Sequence, residues 1–233
     1  MSLKLLIIDQ CSSSKKESEL PGSVDPSLSR EELVEHDEVP AYKARDLYEG
    51  RQQRYISNAV DRLREHGDEV ERKFISAGYG VVDEDTLLPP YDETFAGLSK
   101  KDIQKLSSKL GIQEDIINAV TPEEPYDVVF FALGKEYYQS IDMDTVLVKI
   151  PESTKVVVFN GVVSKDETQN LVSIPARNKE AKEQGTIVVA LKGRYLQNFA
   201  EHRSGGAEVG DITELEEYCT TRPTTQSDLE GYD

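Results

Sequence analysis

Apolar residues in this chain gather in short unbroken runs, separated by stretches where they recur every three or four positions. Residues 4–9, Lys-Leu-Leu-Ile-Ile-Asp, form the first run and predict a strand buried on both faces of a parallel sheet. Residues 71–75, 127–133, 155–159 and 186–191 predict four more strands of the same kind. After the first strand, Ala44, Leu47, Tyr48, Tyr55, Ile56, Ala59, Val60 and Leu63 recur at helical steps. They predict one long amphipathic helix opening near Pro40 and stopping at Gly67. Shorter helices are expected over 100–110, 113–120 and about 195–200. Strands alternating with helices give a three-layer α/β fold, a mostly parallel sheet of about five strands with flanking helices. Residues 1–203 read as a single α/β domain, in which 17–39, polar and interrupted by Pro and Gly, form a flexible flap or insertion. Residues 204–233 read as an acidic tail, disordered or loosely docked.

Charge changes this picture less than its size suggests. The net charge of −17 over 233 residues argues at first against nucleic acid. Residues 17–38 and 205–233, however, each carry eight acids against a single arginine, so most of the excess lies in two segments. Such blocks are commonly solvated, and the second offers a surface for a protein partner. No apolar run approaches the roughly 20 residues of a membrane span, and the first run is too short for a signal-peptide core. Cys11 and Cys219 make no disulfide framework, so a cytoplasmic location is expected. His36, His66 and His202 lack metal-ligand spacing, and neither a metal nor another cofactor is expected.

Candidate chemistry collects at the carboxyl ends of the strands, where parallel sheets bind ligands. Four apolar runs are followed directly by small or polar residues: Cys11-Ser12-Ser13-Ser14-Lys15, Ser76-Ala77-Gly78-Tyr79-Gly80, Gly134-Lys135-Glu136-Tyr137-Tyr138, and Asn160-Gly161. The first offers a thiol, three hydroxyls and an ammonium, a set suited to an anion, with Cys11 either a nucleophile or a small buried hydrophobe. In the second, glycines permit close backbone approach and Tyr79 is either a stacking platform or a core residue. Pro90-Tyr91-Asp92 adds an aromatic ring and a carboxylate on a rigid turn, Asp92 being either a hydrogen-bond acceptor or base, or a turn cap. Lys43, Arg45, Arg51 and Arg54 on the long helix, and a later group including Lys192 and Arg203, either face phosphates or form solvated helix faces.

Cys11-Ser12-Ser13-Ser14-Lys15, Ala44-Arg45-Asp46-Leu47-Tyr48-Glu49-Gly50-Arg51, and Ser76-Ala77-Gly78-Tyr79-Gly80 with Pro90-Tyr91-Asp92 together resemble the uncharacterised domain family related to the YaaA peroxide-stress proteins. The resemblance covers about the first 100 residues and extends more weakly through Gly134 and Tyr137. It implies an α/β, nucleic-acid-associated protein, DNA binding and protection under oxidative stress being associated with the YaaA branch. A more distant similarity is to the Cys-Ser…Lys core domain of archaeosine synthase, which acts on a deazaguanine base in transfer RNA. In that domain proline precedes the cysteine and Lys-Pro-Tyr follows; here Gln10 precedes Cys11 and Lys16-Glu17 follow Lys15. The inferred pocket is Cys11, Ser12, Lys15, Ser76, Tyr79, Gly80, Tyr91 and Asp92, with Ser13, Gly78, Gly134, Tyr137 and Asn160 as further ligand contacts. The function expected is recognition of a nucleobase or nucleotide in nucleic-acid modification or repair, with cleavage of an N-glycosidic bond or base exchange if chemistry occurs. Asp92 and Cys11 are then the catalytic candidates. The alternatives are a non-catalytic DNA- or RNA-binding stress protein, and an accessory protein of a defence or modification system.

Overall fold

The computed structural model describes residues 1–16, 40–160 and 170–223. Among them the elements in chain order are β1 Lys4–Gln10, β2 Tyr42–Lys43, α1 Ala44–Leu47, α2 Arg51–His66, β3 Glu69–Ser76, β4 Gly80–Asp83 and β5 Leu87–Leu88. There follow α3 Lys100–Lys109, α4 Ile112–Val120, β6 Val128–Phe131, α5 Lys135–Tyr138, α6 Met143–Lys149 and β7 Lys155–Phe159. The last are β8 Leu171–Ile174, α7 Asn178–Glu183, α8 Val188–Ser204 and α9 Ile212–Thr220. Six strands form one sheet in the order β4-β3-β1-β6-β7-β8. All neighbours are parallel except β3 and β4, an antiparallel hairpin at one edge.

Successive strand side chains point to opposite faces, so the continuous apolar runs supply two cores. Leu5 and Ile7 face α2, α7, α8 and α9, while Leu6 and Ile8 face α1, α3, α4, α5 and α6. A sheet covered by helices on both sides is the three-layer α/β architecture. The chain winds outward from β1 to β3 on one side and through β6, β7 and β8 on the other, so its direction reverses between β1 and β6. In open α/β sheets the crevice beyond the carboxyl ends at such a reversal is where ligands bind.

The structure departs from the sequence expectations at four places. The run 186–191 is not a strand: α8 begins at Val188, because Leu191, Tyr195, Leu196, Phe199 and Ala200 carry a buried helical stripe back to the start of the segment. The sheet therefore gains β8 and the edge strand β4 instead, and has six strands rather than about five. The long helix divides at 48–50, and α2 opens only at Arg51. There a Cβ on Gly50 would sit 2.1 Å from Gln53 Oε1 and 2.9 Å from Ser12 Cβ, so the chain after β1 packs directly on this break. Part of the acidic tail is also ordered: Asp211 and Glu214 form a capping box, and Leu215 and Cys219 bury one face of α9 against α8. The proposed flap, 17–39, and the last residues, 224–233, lie outside the described residues.

Candidate functional site

The strand-end segments converge, with the loop after β1 at the centre. Cys11 N donates to Ile75 O at 3.0 Å, Lys16 N to Leu47 O at 2.9 Å and Glu49 N to Ser14 O at 3.0 Å, so the loop lies between β3 and the break before α2. Cys11 is buried, with its sulfur 2.9 Å from Tyr137 Oη. Tyr137 donates its own proton to Cys11 O at 3.1 Å, leaving the thiol as donor to the phenol oxygen. Tyr91 Oη lies 2.9 Å from Tyr48 Oη and 2.6 Å from Ser76 Oγ, while Ser76 Oγ accepts from Tyr79 N at 3.1 Å. The result is a buried cluster of one thiol, one serine and three phenols. Burial, reinforced by the neighbouring thiol, holds Tyr48, Tyr91 and Tyr137 well above the ordinary phenol range, so they remain protonated.

Lys15 extends over this cluster, its Nζ 4.2 Å from the centre of the Tyr91 ring. Its hydrogen bond among the described residues is a long one, 3.5 Å to Glu93 O, and no carboxylate there pairs with it. Burial lowers its pKa, opposed by Cys11, Asp92 and Glu93. Glu93 Oε2 is buried without a hydrogen-bond partner among the described residues. A half-buried ammonium and a buried carboxylate oxygen thus share one rim with their hydrogen-bonding capacity largely unspent.

Several expected roles change. Asp92 is exposed, whereas its neighbour Glu93 is half-buried with Oε2 shielded from solvent; both carboxylates act on Lys15 through space. Cys11 is enclosed by phenols, at 2% exposure, so its place is to hold Tyr137 rather than to meet solvent as a nucleophile. Tyr79 and Tyr91 offer no open stacking face, because their rings meet edge to face at 4.9 Å and Lys15 covers Tyr91. Gly78 permits this, since a Cβ there would fall 2.7 Å from the Tyr91 ring. Gly80 is required by a left-handed backbone (φ 74°).

Ser12 spends its hydroxyl on Ser14 O and Gly50 N, and Ser13 is exposed. Gly134 N donates to Gln10 Oε1 at 2.5 Å, tying β1 to the turn after β6. Asn160 does not join the cluster. Its amide clamps the chain after β8, accepting from Ala176 N at 2.6 Å and donating to Ala176 O at 2.9 Å. Gly161 lies outside the described residues. Of the basic residues expected on the long helix, Lys43 lies instead in β2 and pairs with Asp85 at 2.7 Å, and Arg45, in the short α1, pairs with Asp61 at 2.9 Å. Arg51 and Arg54 remain exposed. In the later group, Arg203 is buried against Asp68 at 2.7 Å and Lys192 is buried.

Sequence reading missed a second set of polar residues on the α2 and α8 side of the same strand ends. Asp9 and Arg72, both with fully buried side chains, pair at 2.6 Å. Asp9 Oδ1 also accepts from Gln10 N and Gln52 Nε2, each at 2.8 Å, and Gln52 Nε2 donates to Ala132 O at 2.9 Å. Arg72 further donates to Ser57 Oγ at 2.8 Å. The available signal was a polar residue ending one apolar run, Asp9, and another interrupting a strand at an inward-facing position, Arg72.

Among the described residues no helix is long and apolar enough to cross a membrane. None of their His, Cys, Asp and Glu side chains form a group of three or more able to hold a metal ion. Fold and site together define an α/β protein whose polar loops gather where a parallel sheet reverses its winding. No family model matches the chain, and no curated protein matches it.

Proposed function

We propose that the chain recognises a nucleobase or nucleotide at the crevice beyond β1, β3 and β6, in the service of nucleic-acid modification or repair. The observation that carries this reading is the pair of unspent groups on one rim, the Lys15 ammonium and Glu93 Oε2. Buried polar groups are ordinarily satisfied, and those left open in a crevice are candidates for ligand contacts. A phosphate or sugar oxygen suits Lys15, and a sugar hydroxyl or ring N–H suits Glu93. The protonated phenols behind them form a rigid, hydrogen-bonded wall. The resemblance of the Cys11–Lys15 and Ser76–Asp92 segments to the YaaA-related family supports the same direction. If an N-glycosidic bond is cleaved or a base exchanged, the shielded, unpartnered oxygen of Glu93 supports it as the acting carboxylate beside Asp92.

Isothermal titration of nucleobases, nucleosides and nucleotides tests the reading, with Lys15→Met and Glu93→Gln as variants. Loss of a charged hydrogen bond is worth about 1.5–3 kcal/mol, so each substitution weakens binding by about tenfold or more. Absence of binding to the unsubstituted protein, or binding indifferent to both substitutions, refutes it. Release of free base from nucleosides or oligonucleotides, abolished in Glu93→Gln, separates an enzyme from a binding protein.

A further inference from the structure

On the α2 and α8 side of β1, a second set of polar groups is left incompletely paired among the described residues. Lys192, on α8, is only 7% exposed, yet it makes no hydrogen bond or ion pair among the described residues. Burial lowers its pKa, while Asp9 and Glu136 oppose the shift through space, neither within ion-pairing distance. Asp9 is already committed to Arg72, Gln52 and its own backbone neighbour. Glu136, half-buried at the start of α5, has no side-chain partner among the described residues. Gln52 is 3% exposed and spends both amide hydrogens on Asp9 and Ala132, which leaves its Oε1 buried and without a partner. One cation and two acceptors are therefore left open near one strand end. The helices that carry Lys192 and Gln52 are held together tightly. A Cβ on Gly193 would fall 2.6 Å from Gln52 O and 2.9 Å from Tyr55 Cβ.

A ligand that completes this set must present an acceptor oxygen to Lys192 and an N–H to Glu136 or Gln52 Oε1. Adjacent C=O and N–H groups are the polar edge of a keto nucleobase, such as guanine or uracil. Adenine and cytosine carry an amino group where the carbonyl would be and a bare ring nitrogen where the N–H would be. Their polarity is reversed, so they would set donor against Lys192 and acceptor against acceptor. Resting on the nucleotide-recognition reading above, we infer that Lys192, Gln52 and Glu136 select the keto edge of a nucleobase. Lys15 and Glu93, across the Asp9–Cys11 strand end, take the rest of the nucleotide. Gln10, between Asp9 and Cys11, accepts from Gly134 N through its side chain and from Gln53 Nε2 through its carbonyl, so the two sets flank one strand end.

The test is isothermal titration of guanosine, uridine, adenosine and cytidine monophosphates against the full chain and the Lys192→Met, Glu136→Gln and Lys15→Met variants. Circular dichroism establishes that each variant is folded. The keto nucleotides are expected to bind at least about tenfold more tightly than the amino nucleotides. Lys192→Met and Glu136→Gln should erase that preference, while Lys15→Met should weaken all four alike. As a second measurement on the unsubstituted protein, uridine monophosphate should protect Lys192 from acetylation, read by mass spectrometry. If all four nucleotides bind in a Lys15-dependent way without a keto preference, or the preference survives both substitutions, the base-edge assignment is overturned and nucleotide recognition stands. If no nucleotide binds, the recognition reading itself fails.

Discussion

Arg72→Met removes one half of the fully buried ion pair with Asp9, and the structure gives the size of the loss. The substitution deletes the 2.6 Å charge-assisted bond to Asp9, the 2.8 Å bond to Ser57 Oγ and a weaker one to Gln53 O at 3.3 Å. It leaves the Asp9 carboxylate at zero exposure with Gln10 N and Gln52 as its donors among the described residues. Breaking a buried pair from one side costs about 3–5 kcal/mol, chiefly because a charge is stranded in a low dielectric. The guanidinium also stacks on the Phe74 ring, 4.4 Å from its centre, and that contact is lost too; methionine keeps most of the aliphatic stem, so little of the loss comes from a cavity. Against a total stability of about 5–15 kcal/mol, such a loss is readily measured. In urea unfolding the midpoint should fall by about 1–2 M at an unchanged slope of about 3 kcal/mol/M. The double variant Asp9→Leu with Arg72→Met, which strands no charge, should cost less than Arg72→Met alone. A single-variant loss below about 1 kcal/mol, or a double-variant loss equal to the sum of the two singles, would refute the reasoning.

Three further outcomes are expected. Lys192→Met should raise stability at neutral pH. Because the folded-state pKa of Lys192 lies below its unfolded value, the wild-type penalty is full below the folded pKa and disappears as pH rises toward 10.5, so the advantage of the variant in urea unfolding should shrink over that interval. Gly193→Ala forces a methyl group against Gln52 O and should cost about 1–3 kcal/mol, seen as a lower thermal midpoint; an unchanged midpoint would mean that the two helices part freely. Leu215→Ala, at a fully buried position on α9, should cost about 2–5 kcal/mol, and hydrogen exchange should then speed up across α9. Exchange at α9 that is already fast in the unsubstituted protein would count against its docking on α8.

The sequence by itself determined the α/β class, four of the five predicted strands and the gathering of polar loops at strand ends. Each of these depends on local periodicity: an unbroken run such as Leu5-Leu6-Ile7-Ile8 can only be satisfied when both faces are covered. It also made Cys11, Lys15, Ser76, Tyr91 and Tyr137 visible, because small and polar residues that directly follow an apolar strand stand out along the chain. The tertiary structure decided the rest. Whether Val188–Ser204 is a helix depends on its buried stripe meeting α2, since the first residues, Ile187-Val188-Val189, favour a strand locally. Which of Asp92 and Glu93 is the more buried depends on tertiary packing, which no spacing rule distinguishes. Tyr79 and Tyr91 read as a platform until their mutual burial is seen, because an aromatic ring has the same sequence signature exposed or enclosed. Asp9, Arg72, Gln52, Glu136 and Lys192 come from five separate elements or loops. Their importance lies in which polar atoms are spent and which are left open, and that accounting exists only once the chain has folded.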